Sequence, residues 1–135
     1  MDDEQFQISS SERIARLARR CCRFGKLCLS WGLNESYEPE PLFGKAENFF
    51  HQALLLDPEC LDAQLSLCYL YLLRNYPLRA KVALQQAQVM APEDERVRLL
   101  EQEFQHLDRN LEPLQPQEAL RKLYALQEHV LITFE

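Results

Sequence analysis

Two stretches of the chain carry the same small residues and the same stop at one fixed interval. "AENFFHQALLLDP" (46–58) and "AKVALQQAQVMAP" (80–92) hold Ala46, Ala53 and Pro58 at the same mutual spacing as Ala80, Ala87 and Pro92. The offset is 34 residues. Superposing 27–60 on 61–94 also pairs Leu27 with Leu61, Leu33 with Leu67, Tyr37 with Tyr71, Gln52 with Gln86 and Glu59 with Glu93. Within each stretch the alanines stand two helical turns apart and share one face. Alanine there lets two antiparallel helices approach closely, while leucine and tyrosine of the preceding helix fill the gap. Proline ends each unit, because the residue before it is driven out of helical torsions. The expected unit is a helix hairpin stacked on its neighbour, and the expected fold class is all-α.

Composition agrees with that reading. The 135 residues are 47% hydrophobic and 27% charged, enough for a core, and only three are glycine. Leu, Ala, Glu, Gln and Arg, which lose least on entering a helix, dominate. Cys21, Cys22, Cys28, Cys60 and Cys68 all lie in apolar, helix-like segments with no secretory signal before them, and read as reduced core thiols of a cytoplasmic protein. No apolar run reaches the roughly 18 residues of a membrane span. Residues 1–26 carry six basic and four acidic side chains, against nine and seventeen in 27–135. An acidic body of that kind repels phosphate backbones, which argues against a nucleic-acid partner.

Along the chain, residues 1–9 read as a disordered acidic N-terminus and "SSSE" (9–12) as a capping box that opens a helix. Ile14, Leu17, Cys21, Phe24, Cys28 and Trp31 fall three or four apart, and Arg13, Arg16, Arg20, Arg23 and Lys26 take the other face. The expectation is a basic amphipathic helix over 10–26 that packs through the apolar stripe. Pro39 and Pro41 then break the chain before a helix over 43–58, and further helices follow over 60–75 and 78–92. A capping helix over 94–108, the loop "NLEPLQPQ" and a C-terminal helix over 116–134 complete about six helices.

The pattern resembles the tetratricopeptide repeat, a 34-residue helix hairpin with large, Leu, small and Tyr positions on its first helix and Ala, large, Ala and Pro on its second. Here it reads Ser30, Leu33, Asn34, Tyr37, Ala46, Phe50, Ala53, Pro58, and then Gln64, Leu67, Cys68, Tyr71, Ala80, Leu84, Ala87, Pro92. Ser30 and Gln64 stand where the family has tryptophan, and Asn34 and Cys68 where it has glycine. The resemblance covers two repeats, 27–60 and 61–94, in a single domain over 10–135, and implies a right-handed superhelix of hairpins. It also implies protein binding rather than chemistry. In the family the first helix of each hairpin lines a concave groove, which maps to Trp31, Glu35 and Glu38, to Leu65, Tyr69 and Leu72, and to Leu99, Glu103 and His106. None of these is the lysine, arginine or asparagine with which family members grip a C-terminal carboxylate.

No catalytic spacing, phosphate-cradling glycine loop or metal-ligand pair accompanies His51, His106 and His129, so neither an enzyme, a cofactor nor a metal is expected. "LSLCYLYLL" (65–73) is apolar all round, so Leu65, Tyr69 and Leu72 need a cover worth roughly 1.5–3 kcal/mol each. Candidate covers are the C-terminal helix, through Leu120, Leu123, Tyr124, Val130, Leu131 and Phe134, or a partner's hydrophobic or amphipathic segment. The expected function is a non-catalytic adaptor that binds such a segment, alone or in a homo-oligomer or heterocomplex. The alternatives are a small acidic chaperone of the type III secretion class and a structural subunit of a larger assembly.

Overall fold

The computed structural model describes residues 9–34 and 38–110, excluding the side chains of Glu103 and of 105–110. It consists of α1 (Ser10–Asn34), α2 (Glu40–Leu56), α3 (Leu61–Leu73), α4 (Pro77–Met90) and α5 (Glu95–Asn110). The expected all-α class is met, with no strand among the described residues. Helices α1 and α2 pack as one pair and α3 and α4 as a second, α2 joins the pairs through α3, and α5 lies against α4. Phe50 lies on Gly25 and Phe43 on Gly32, so α2 runs back along α1. The expected C-terminal helix (116–134), its loop, the N-terminal 1–8 and the positions Glu35 and Tyr37 lie outside the described residues.

The 34-residue interval reappears in the backbone. Helices α2 and α4 end at Leu56 and Met90, and α3 and α5 begin at Leu61 and Glu95, each pair one interval apart. The turns between them share their hydrogen bonds. Asp57 N–H donates to Ala53 O at 2.8 Å and Ala91 N–H to Ala87 O at 2.9 Å. Cys60 N–H donates to Asp57 O at 3.1 Å and Asp94 N–H to Ala91 O at 3.2 Å. The four alanines of the repeated pattern, Ala46, Ala53, Ala80 and Ala87, have no exposed surface, as close helix contact at those positions requires.

Within the pairs the turns differ. Helix α3 closes on a left-handed Asn75 (φ 61°). There Tyr76 N–H donates to Tyr71 O at 2.8 Å and Asn75 N–H to Leu72 O at 3.1 Å, a Schellman cap with asparagine in glycine's usual place. Helix α2 opens at Glu40, three residues before the expected start, with Pro41 inside its first turn. Proline fits there because the amide it lacks has no partner in a first turn.

Helix α1 corrects the sequence reading twice. It runs unbroken through the expected boundary at 26/27, opened by the Ser9 hydroxyl accepting from Glu12 N–H at 3.2 Å. Its buried line is Ala18, Cys22, Gly25, Leu29 and Gly32, not the stripe of large residues. Ile14, Leu17, Phe24 and Trp31 are exposed and Cys21 and Cys28 half-buried, while Lys26, expected on the open basic face, is only 2% exposed. Close approach explains the choice. A Cβ at Gly25 would sit 2.6 Å from Phe50 Cε1, and one at Gly32 would sit 2.9 Å from Phe43 Cε1. The two rings fill the notches that the glycines leave, and the wide side chains of the other stripe could not be brought so near.

Helix α3 is the centre of the body. All of Ala63 to Tyr71 is buried, which accounts for a helix that is apolar all round. Two polar members have different fates: Gln64 Nε2 donates to Ala83 O at 3.1 Å and Gln86 Oε1 at 2.9 Å, whereas the Ser66 hydroxyl finds no partner. At the far end Arg74 ties α3 to α2 through Glu40 at 2.6 Å and Glu47 at 3.2 Å.

Candidate functional site

The residues expected to line a shared groove are separated by the fold. Leu65 and Tyr69 have essentially no exposed surface and belong to the core, Leu72 and Leu99 are half-buried, and Trp31 and Glu38 are exposed. Glu35 lies outside the described residues, as do the side chains of Glu103 and His106. The cover that Leu65 and Tyr69 require is in place, since α3 packs against α1, α2 and α4. Leu65 and Tyr69 are therefore closed off, and among the apolar groove positions Trp31 offers a large outward surface.

What the structure assembles instead is a cleft beside α1. Its wall comprises Arg16, Arg19, Arg20, Cys22, Arg23 and Lys26 from α1, Cys60, Leu61 and Asp62 at the start of α3, and Arg96 from α5, enclosing about 560 Å³. Sequence puts the arginines there. Arg16, Arg19, Arg20 and Arg23 fall three or four apart on one side of the helix, and the small buried line next to them seats α1 on α2. Six cationic side chains meet one carboxylate. Asp62 receives Lys26 Nζ at 3.4 Å on one oxygen and Arg96 Nη1 at 2.6 Å on the other. Burial of the lysine without that carboxylate would cost several kcal/mol, on the order of 3–5.

Arg96 is held from a second side by Asp94, Nε to Oδ1 at 3.3 Å. Burial opposes both charges, but the hydrogen bonds and the attraction between them prevail. Asp94 is held below the ordinary carboxylate range and Arg96 above its own ordinary value. With six cationic side chains around one carboxylate, the cleft can seat carboxylates or phosphates.

Next to the arginines, on the neighbouring sector of the same helix, runs the unburied apolar stripe. Leu17, Phe24 and Trp31 repeat every two turns, with Ile14 and Leu27 beside them, and exposure ranges from 43% at Ile14 to 60% at Trp31. Phe24 leans on Phe49 of α2 with ring centroids 5.6 Å apart, which carries the apolar surface across to the second helix.

Among the described residues no group of three or more His, Cys, Asp or Glu side chains is placed to hold a metal ion, and no helix is long and apolar enough to cross a membrane. His51 Nε2 lies 3.2 Å from the Tyr71 hydroxyl, whose pKa is raised by burial and by Glu47 nearby. The pair joins α2 to α3. Sequence reasoning recognised the arginine face but not its neighbours. The signal that could have found them was the small-residue line at spacings of four and three, from Ala18 to Gly32. Comparison with known proteins returned no matching family model, no matching curated protein and no matching solved structure.

Proposed function

We propose that the chain is a non-catalytic protein-interaction module of tetratricopeptide type whose binding face is α1. The turns that repeat hydrogen bond for hydrogen bond at the 34-residue interval support the repeat reading. One observation carries the binding reading: a five-residue apolar stripe stands exposed beside an arginine-lined cleft on a single helix. The partner that fits is an amphipathic helix from another protein, with its apolar face on Leu17, Phe24 and Trp31 and its acidic flank toward Arg16, Arg20 and Arg23. Fully burying such side chains is worth roughly 1.5–3 kcal/mol each, and the arginines set orientation and speed of encounter. A second copy of this chain suits the face poorly, because stripe-to-stripe pairing would bring two arginine rows together.

The protein carries its own reporter. Trp31 is the single tryptophan and lies within the stripe. Titration with a synthetic Leu/Glu amphipathic helix should shift its emission to the blue, with affinity falling as salt rises, whereas a Leu/Lys helix of the same pattern should do neither. Leu17→Ala with Phe24→Ala should weaken binding while helicity persists, and Leu55→Ala with Val89→Ala, which are exposed elsewhere, should leave it unchanged. An unmoved Trp31 emission, or equal binding of both peptides, refutes the assignment.

A further inference from the structure

We propose that Cys22 and Cys60 form a hydroperoxide-reactive dithiol that closes into a disulfide between α1 and the start of α3. This inference goes beyond the binding reading and holds whichever ligand the cleft takes. All five cysteines are free thiols. Only Cys22 and Cys60 line the cationic cleft; Cys68 is enclosed in the core, and Cys21 and Cys28 are half-buried elsewhere on α1. The two thiols lie on the wall of one cleft, although they are 38 positions apart in sequence. Cys60 also occupies the N-cap of α3, where the helix dipole favours a negative sulfur.

The charges around the pair separate the roles. Hydrogen bonding from Cys22 brings the Cys60 thiol down to about 7 against the opposing burial, with help from the Ala63 amide and in spite of Asp57 and Asp62. The same contact, together with burial, pushes Cys22 up, with Lys26 opposing. Cys68, by contrast, is pushed up to about 12 by burial alone. Cys60, at the N-cap of α3 and the more exposed of the two, is the nucleophile and Cys22 the resolving thiol. The oxidant must be small, since the two residues are only 9% and 3% exposed.

The chemistry balances. The Cys60 thiolate attacks the outer oxygen of a hydroperoxide, the O–O bond breaks, and an S–O bond forms to give the sulfenic acid. The departing alkoxide or hydroxide, stabilised beside the arginines, takes a proton from water. The Cys22 thiol then attacks the Cys60 sulfur, an S–S bond forms, and hydroxide leaves with the thiol proton as water. Two thiols lose two electrons to one peroxide, which becomes an alcohol and water.

The test uses the native full chain and hydrogen peroxide. Free thiols should fall from five to three, and a non-reducing peptide map should show one Cys22–Cys60 link. Reaction at Cys60 should outpace that at Cys21, Cys28 and Cys68 by about tenfold or more, a preference lost when the chain is first unfolded. In Cys22→Ser the sulfenic acid should persist on Cys60 and be trapped by dimedone, and Arg20→Gln with Arg23→Gln should slow its formation. A link between any other pair, equal rates at all five thiols in the native chain, or a folded Cys60→Ser that still loses two thiols overturns the proposal. The map of the native chain decides the question even where a serine variant fails to fold.

Discussion

Gly25→Ala and Gly44→Ala are the same chemical change on two neighbouring helices, and the fold gives them opposite signs. Removing a glycine from a helix interior is worth about 0.5–1 kcal/mol of backbone entropy in either case. At Gly44 the added methyl meets nothing within 4 Å, so that gain should stand in full. At Gly25 it would lie 2.6 Å from Phe50 Cε1 and 2.8 Å from Cδ1. Comfortable carbon contacts are about 3.5–4.0 Å, so ring or helix must retreat by about 1 Å. Phe50 has no exposed surface into which it could withdraw. Overpacking of this kind costs about 1–3 kcal/mol, which leaves Gly25→Ala destabilised by up to about 2 kcal/mol after the entropy gain. Urea denaturation followed by helical circular dichroism measures both variants on one scale, at a common slope. Phe50→Leu supplies the second arm: it should cost less in the Gly25→Ala background than in the parent, with a coupling above about 0.5 kcal/mol. Equal stability of the two alanine variants, with additive behaviour toward Phe50→Leu, would falsify the contact between α1 and α2 described above.

The repeated alanines respond alike: Ala53→Leu and Ala87→Leu, both at sites with no exposed surface, should each lose about 1–3 kcal/mol in a thermal melt, and parental melts would count against the shared packing. Ser66→Ala removes a buried hydroxyl that has no hydrogen-bond partner, so stability should hold or rise by up to about 1 kcal/mol; a clear loss would mean the hydroxyl is satisfied. Asp94, whose folded pKa is depressed by Arg96 despite burial, adds stability that is complete above its unfolded pKa and is lost as pH falls through the lower folded value. Asp94→Asn should therefore flatten the stability curve below about pH 4, and an unchanged acid limb would assign that slope to other carboxylates.

The burial of Ala46, Ala53, Ala80 and Ala87 was legible because close helix contacts tolerate only small side chains, which leaves these four in view at fixed spacing. Helix ends two residues before Pro58 and Pro92 were legible for an equally local reason. The face of α1 was not. A stripe of Ile14, Leu17, Phe24 and Trp31 and a line of Ala18, Cys22, Gly25, Leu29 and Gly32 both recur every three or four residues. Hydrophobicity alone favours the first, and only the rings of Phe43 and Phe50 on another helix select the second. Lys26 misled for a related reason: its burial depends on Asp62, 36 positions away, and no local pattern announces an ion pair across that distance. The same fold placed Leu65 and Tyr69 inside, because the close seat of α1 supplies a third wall against α3.

Asp62 has a consequence for how the molecule comes apart. A stack of hairpins touches mainly its sequence neighbours, so its units can melt one at a time and the ends fray independently of the middle. One carboxylate on α3 accepts Lys26 from α1 and Arg96 from α5, and so ties helices that belong to three successive stretches of the chain. Releasing either outer helix takes one of these two cations away from Asp62, so the cost is felt on α3 as well. That shared anchor couples α1, α3 and α5, so their loss of structure should coincide in one denaturation curve where independent hairpins would unravel by degrees.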